Sequence, residues 1–220
     1  MKARGRFITL EGGEGVGKST HTALLAEWLR GQGISVVTTR EPGGSPRAEV
    51  LRGLLLGGQV APFGAEAEAL VFAIARADHL SETIRPALRA GTWVVSDRFL
   101  DSTWAYQGAA GVAPERLAEL DRIAVGADRP DLTFILDLPV EIGLKRIGRR
   151  SNAADRFERD ARALHEARRQ AYLMIAEREP ERCVVIDASS DKAEVAEAIR
   201  AAAAARLEPA AAAAARADKA

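Results

Sequence analysis

A chain of 220 residues, 47% hydrophobic and 28% charged, has the make-up of one folded domain with a core of its own. Lys plus Arg and Asp plus Glu both total 31, so no overall basic footprint for nucleic acid is expected. The single cysteine, Cys183, excludes an intrachain disulfide and a cysteine-based zinc site. No apolar run approaches the roughly 18 residues of a membrane span, and Lys2, Arg4 and Arg6 are not followed by the apolar stretch of a secretory signal. A cytoplasmic location without membrane or nucleic-acid partners is expected.

In chain order, Phe7–Leu10 is a short apolar, β-prone run. It leads into Gly12-Gly13-Glu14-Gly15-Val16-Gly17-Lys18-Ser19, followed by Thr20, which satisfies the phosphate-loop pattern G-x-x-x-x-G-K-[ST]. Leu24, Leu25, Trp28 and Leu29 then recur at helical spacing up to Gly31 and Gly33. A glycine-rich turn could spell the same letters, but strand, glycine loop and helix together are the context the motif requires. Glycines let backbone N–H groups converge on a polyanion, and the following helix adds its positive end. Lys18 is placed for the β- and γ-phosphates and the Ser19 hydroxyl for Mg²⁺.

Further strands are predicted at Ile34–Thr39, Thr92–Ser96, Leu132–Leu136 and Cys183–Ile186, where Cys183 is expected in the core. Helices are predicted from about Pro46 to Gly57, over Ala65–Ala90 with a bend near Pro86, and over Pro114–Val125, Val140–Ile147, Arg156–Glu179 and Asp191–Leu207. Alternating strands and helices mean an α/β fold: a five-stranded parallel sheet with helices on both faces, the three-layer α/β/α arrangement of P-loop NTPases. In such folds ligands collect at strand carboxyl ends, where Glu11, Arg40-Glu41, Asp97-Arg98 and Asp187 lie. One domain is expected over residues 1–207, with a mobile lid at about 148–156. The Ala-rich residues 208–220 read as frayed helix or disorder.

Two missing motifs narrow the class. Asn152 is the only asparagine, so the Asn-Lys-x-Asp signature of guanine-specific GTPases is absent, and no Asp-Glu pair follows any strand as in motor-type ATPases. Arginines at strand ends and in the late basic loop suit a small-molecule kinase, which must bring two phosphate groups together and neutralise their repulsion.

The chain resembles the bacterial thymidylate kinase family. The matching segments are Phe7–Gly12 into the P-loop, Thr39-Arg40-Glu41-Pro42-Gly43-Gly44, Leu70–Ala73 through Arg76, Asp97-Arg98-Phe99 through Ser102, Ala105-Tyr106-Gln107-Gly108, and Asp155-Arg156-Phe157-Glu158. The resemblance runs from Phe7 to about Ile199 and implies transfer of a phosphoryl group from ATP to dTMP, giving dTDP for dTTP synthesis, with Mg²⁺ and as a homodimer. It implies ATP binding by Gly12 to Thr20. It also implies a dTMP site with Phe72 stacked on thymine and Arg76, Thr103 and Gln107 at the base. Arg98 and Arg52 would hold the acceptor phosphate, Glu14 would face its sugar, and Glu41, Pro42 and Tyr106 would line the site.

Without the resemblance, a core role for Phe72 and an ion pair of Arg98 with Asp97 or Glu41 are the rival readings. Ser19 is expected at the metal and Asp97 behind it or through a water, and Glu11 and Glu41 are expected to organise Arg40 and Arg98. Lys18 and Arg98 are the expected catalytic cations. The resemblance implies that Arg149, Arg150 and Arg156, of the basic stretch that includes Lys145 and Arg146, join them, since family members without an arginine in the P-loop supply it from the lid. Asp187-Ala188-Ser189 resembles the adenine-pocket segment. Two other readings stay open: a kinase for a different small molecule, and a regulatory ATPase that uses nucleotide as a switch.

Overall fold

Every residue of β1 (Phe7–Glu11) is buried, which fits a central strand covered on both faces. The computed structural model describes residues 3–148 and 157–207. The expected lid arginines Arg149, Arg150 and Arg156 and the tail 208–220 lie outside the described residues.

Around β1 lie β2 (Val36–Arg40), β3 (Trp93–Asp97), β4 (Leu132–Asp137) and β5 (Cys183–Asp187), in the order β2-β3-β1-β4-β5 and all parallel. The chain leaves β1 on the β3 side and later returns on the β4 side, so the order reverses at β1 and opens a crevice at its carboxyl end. Asp97 is level with Leu10, and Ile135 with Glu11. The P-loop is thus delivered between the ends of β3 and β4.

The helices are α1 (Lys18–Gly31), α2 (Pro46–Leu56), α3 (Ala65–His79), α4 (Arg85–Arg89), α5 (Leu100–Ala109), α6 (Pro114–Ala124), α7 (Val140–Ile147), α8 (Arg162–Arg178) and α9 (Lys192–Leu207). Alternation along β1 divides the core. Ile8 and Leu10 pack with Leu25 and Leu29 of α1 and with Val195 and Ile199 of α9. Phe7 faces the other way, towards Phe99, Leu100, Ile84 and Leu88. A third cluster joins Tyr106, Phe157, Tyr172, Ala176 and Cys183, so Cys183 is buried as expected.

Most strand and helix ends fall within a residue or so of the sequence expectation, and the larger differences have physical causes. β2 starts at Val36, because the Gly33 and Ile34 amides turn back to the Arg30 and Leu29 carbonyls and close α1. The interruption expected near Pro86 is a widened turn just before it. Pro86 has no N–H for the Glu82 carbonyl, and the turn over Leu80–Ile84 widens until the Arg85 amide reaches the Leu80 carbonyl. Helix α5 has no clear apolar stripe, because Asp101, Thr103 and Gln107 are buried along with its hydrophobic residues. The predicted Arg156–Glu179 helix is a 3₁₀ turn at Phe157–Arg159 followed by α8. Between them the Asp160 carboxylate pairs with Arg168. Asp191 caps α9, accepting the Ala193 and Glu194 amides at 2.8 and 2.9 Å.

Candidate active site

The P-loop needs its glycines for two different reasons. Gly12 (φ 134°) takes a backbone conformation open chiefly to glycine, and a Cβ there would sit 2.5 Å from the Leu136 carbonyl oxygen. Gly15 (φ 72°) lies so close to Gly143 of α7 that a Cβ would collide with its backbone. The loop therefore rests on α7 and opens towards α1, where Lys18 and Ser19 begin the helix.

Lys18 is 7% exposed and donates from Nζ to the carbonyls of Gly13 (2.6 Å) and Gly12 (3.2 Å). Burial pushes its ammonium down, Arg98 adds repulsion, and Glu14, Asp97 and Glu11 oppose them, leaving a pKa of about 8. Ser19 Oγ donates to Asp97 Oδ2 at 2.5 Å. A hydroxyl and a carboxylate side by side next to Lys18 are the hard oxygen donors that suit Mg²⁺, so the residues present fit that ion.

Arg98, at the end of β3, has φ 70°, the only positive φ of a non-glycine among the described residues. Such a conformation costs about 1 kcal/mol or more. It is held by the Arg98 amide on the Leu10 carbonyl (2.9 Å) and by the Ser96 hydroxyl on the Arg98 carbonyl (2.8 Å). The guanidinium is thereby aimed across the P-loop. Nη2 donates to Glu14 (2.6 Å) and the Tyr106 hydroxyl (2.9 Å); Nη1 donates to the Gly12 carbonyl, Ser102 and Tyr172 at 3.0–3.2 Å. The rival reading of an ion pair with Asp97 or Glu41 is not what is found: the carboxylate that Arg98 bonds is Glu14.

Tyr106 also donates to Glu14. Burial pushes the Glu14 carboxyl up, but Arg98 and then Lys18 outweigh it and bring it down to about 2. Glu11 receives the Phe99 amide and the Ser102 hydroxyl, both at 2.7 Å, and Tyr172 at 3.1 Å. Burial first, then the Asp101 charge, raises Glu11 to about 7. Glu11 thus organises the neighbours of Arg98 without bonding it directly.

Of these groups Glu14, Lys18, Ser19, Asp97, Arg98, Ser102 and Tyr106 line a cleft of about 260 Å³. In the same cleft α3 presents Phe72 and Arg76, one turn apart, opposite Thr103, Tyr106 and Gln107 of α5. Arg76, 2% exposed, donates from Nε to Glu41 (2.8 Å) and from Nη2 to the Phe99 carbonyl (3.1 Å) and Thr103 (3.0 Å). The other Glu41 oxygen lies 3.0 Å from His79 Nδ1. The expectation that Glu41 organises Arg40 and Arg98 is therefore corrected. Glu41 is buried with Arg76 and His79, while Arg40 bonds Glu49 at the surface. Arg52 donates to the Pro42 carbonyl at 2.7 Å, and both residues line the cleft.

Of the expected ATP residues, Glu14, Gly15, Gly17, Lys18, Ser19 and Thr20 line this cleft. Gly12, Gly13 and Val16 instead border a smaller cavity behind the loop, with Val16 in the core. Ala188 accepts two bonds from Arg146 at 3.3 Å, and Asp187 accepts the Ser189 amide; this segment stands outside the cleft. Ser102, Tyr172 and Arg168 carry no expected role in the sequence reading. Their one signal is spacing: Ser102 precedes Tyr106 by four, and Arg168 precedes Tyr172 by four, placing each pair on one helix face.

A P-loop lysine and arginine together with an aromatic, hydrogen-bonding wall in one cleft suit a P-loop phosphotransferase with a small acceptor. The Thymidylate kinase family model matches residues 10–199. A thymidylate kinase of Afipia carboxidovorans is 56% identical over 199 residues, 89% of this chain and 87% of that protein. One from Bradyrhizobium sp. is 54% identical over 190 residues, 85% and 84% of the two chains. The crystal structure of thymidylate kinase from Ehrlichia chaffeensis superposes with a TM-score of 0.69 at 34% identity, over 83% of this chain and 93% of that one. This chain belongs to the thymidylate kinase family.

Proposed function

We infer that this protein transfers the γ-phosphoryl group of ATP to dTMP, giving ADP and dTDP. The observation that carries the reading is the cleft itself: Lys18 and Arg98 share it with Phe72, Arg76 and Gln107, so both phosphate groups and the acceptor base have matching walls.

The acceptor phosphate oxygen is already ionised at neutral pH and attacks the γ-phosphorus in line, so no strong base is needed. Catalysis is placement and charge neutralisation. Lys18 meets the β- and γ-phosphates, and Arg98 and Arg52 the acceptor phosphate. Ser19 and Asp97 would hold Mg²⁺, which when bound supplies further neutralisation of the triphosphate. Phe72 offers its face to thymine, with Arg76, Thr103 and Gln107 at the base edge and Glu14 and Tyr106 towards the sugar. Arg149, Arg150 and Arg156 belong to this reading as the cations of a lid over the phosphates, within one catalytic domain spanning residues 1–207.

A homodimer is part of the same proposal. Val50 and Leu54 of α2 and Leu70 and Ile74 of α3 stand exposed at i,i+4 spacing, which supports a second copy on that face. A cytoplasmic site of action is proposed from the nucleotide chemistry. No helix among the described residues is long and apolar enough to cross a membrane.

The test is ADP release from Mg·ATP with each nucleoside monophosphate in turn. Strong stimulation by dTMP, weaker by dUMP and negligible by AMP, CMP and GMP is expected, since one methyl separates the first two and provides only about 1–3 kcal/mol. ADP release that ignores every monophosphate would leave a switch ATPase.

A further inference from the structure

Tyr106 is held at its hydroxyl by Arg98 and Glu14, and the Arg98 guanidinium carbon also lies 4.9 Å from its ring centroid. A second cation, from outside the cleft, lies closer to the ring. The Arg168 guanidinium carbon lies 4.2 Å from the Tyr106 ring centroid and 5.7 Å from that of Phe157. Arg168 is on α8 and 3% exposed. Nη2 pairs with Asp160, Nη1 donates to the Phe157 carbonyl at 3.3 Å, and Nε has no partner among the described residues.

The two rings that Arg168 touches are walls of the acceptor end. Phe157 meets Tyr106 edge to face, with centroids 5.6 Å apart at 85°, and its ring centroid is 6.3 Å from that of Phe72. One buried cation therefore fastens the face of Tyr106, the backbone of Phe157 and the Asp160 carboxylate between the 3₁₀ turn and α8. A cation over an aromatic face is attracted more strongly once desolvated. Filling space alone would favour an apolar side chain, because a buried guanidinium with an unmet donor is costly. Arg168 also belongs to the positive surroundings that keep the Glu14 carboxyl low, after Arg98 and Lys18. Its reach thus extends from the ring wall to the carboxylate beside the P-loop.

We propose that Arg168 is a positioning residue for the acceptor, setting the Tyr106 and Phe157 rings as a preformed wall against which dTMP binds. The proposal rests on the dTMP reading of the cleft. It concerns the acceptor end alone, so the donor end is the internal control.

Initial rates are measured with dTMP and ATP varied in turn for the wild type, Arg168→Met, Arg168→Lys and Asp160→Asn, alongside thermal melting. Arg168→Met keeps length and loses the cation; KM for dTMP is expected to rise about tenfold or more, and KM for ATP to move less than about twofold. Arg168→Lys keeps the charge over Tyr106 but cannot serve Phe157 and Asp160 together, and falls between. Asp160→Asn also falls between, and combined with Arg168→Met adds little, as expected for one coupled unit. If Arg168→Met does not fold, Arg168→Lys and Asp160→Asn still read the same split, at about threefold or more. Equal changes in both KM values, or lowered melting temperatures with neither KM changed, would make Arg168 a structural arginine and overturn the proposal. Absence of dTMP turnover in the wild type would instead overturn the reading beneath it.

Discussion

Lys18 holds its charge at a cost while the triphosphate is absent, and Lys18→Met measures that cost. Burial, then repulsion by Arg98, brings the ammonium from its ordinary 10.5 to about 8. At about 1.4 kcal/mol per pH unit, the difference amounts to about 3 kcal/mol of destabilisation near pH 7. The sign follows from the direction. A base whose folded pKa lies below its unfolded value loses stability in full below pH 8, and that loss fades as pH rises from 8 towards 10.5. Methionine removes the charge but also the bonds to the Gly12 and Gly13 carbonyls, so part of the gain is returned. For a protein of this size the net expectation at pH 7 is a melting temperature higher by about 3–6 °C, with turnover lowered by about a hundred- to a thousandfold or more. The assays are melting of both proteins at pH 7, 9 and 10 and coupled ADP release. The stability difference should shrink at pH 10, and saturating Mg·ATP should stabilise the wild type far more than the variant. A variant that melts lower than the wild type at pH 7, or a difference unchanged at pH 10, would refute the electrostatic reasoning. Near-normal kcat would refute the P-loop role itself.

Phe72→Ala should raise KM for dTMP by about five- to a hundredfold, the range of about 1–3 kcal/mol for one stacked base, and leave KM for ATP in place; equal effects on both substrates would return Phe72 to a plain core role. Excess EDTA should abolish ADP release, and Ser19→Ala should raise the Mg²⁺ needed for half-maximal rate by about ten- to a hundredfold. Turnover indifferent to EDTA would contradict the pairing of Ser19 with Asp97 as a metal site. Leu70→Glu combined with Ile74→Glu should convert a dimer to a monomer in light scattering, since both side chains are half exposed on α3; a monomeric wild type would end the homodimer proposal.

The sheet was legible because its strands carry the plainest signal a chain can give: short β-branched and apolar runs cut off by turn residues. All five strands lie where those runs are, and the P-loop motif announced the crevice between β3 and β4. What periodicity missed follows from polar burial. Helix α5 turns Asp101, Thr103 and Gln107 inward, which erases the amphipathic stripe that would announce it. The same property makes its side chains available to the cleft. Pro86 signalled a break but not that the widened turn would precede it. Phe72 was readable as a helix face and no more; its place opposite Gln107 depends on α3 and α5 meeting across the cleft. Arg168 had even less to announce it, because one arginine in an arginine-rich helix looks like solvated surface until its neighbours are known.

Charge in the cleft explains why the rival pairing of Arg98 with Asp97 does not form. Sequence offers Asp97 as the adjacent carboxylate, but successive residues leaving a strand point to opposite sides. Asp97 turns to Ser19, whereas the positive φ of Arg98 swings its guanidinium over the P-loop to Glu14. An acid within a phosphate loop then has a physical role: it keeps company with Arg98 and Lys18 before any phosphate does. Glu14, at about 2, cannot be neutralised by protonation anywhere near neutral pH. In the proposed reaction an incoming acceptor phosphate would therefore compete with a permanent anion for Arg98. That exchange of one anion for another leaves the arginine paired throughout, so the cleft can be strongly cationic towards two phosphate groups without carrying a bare buried charge when it is empty.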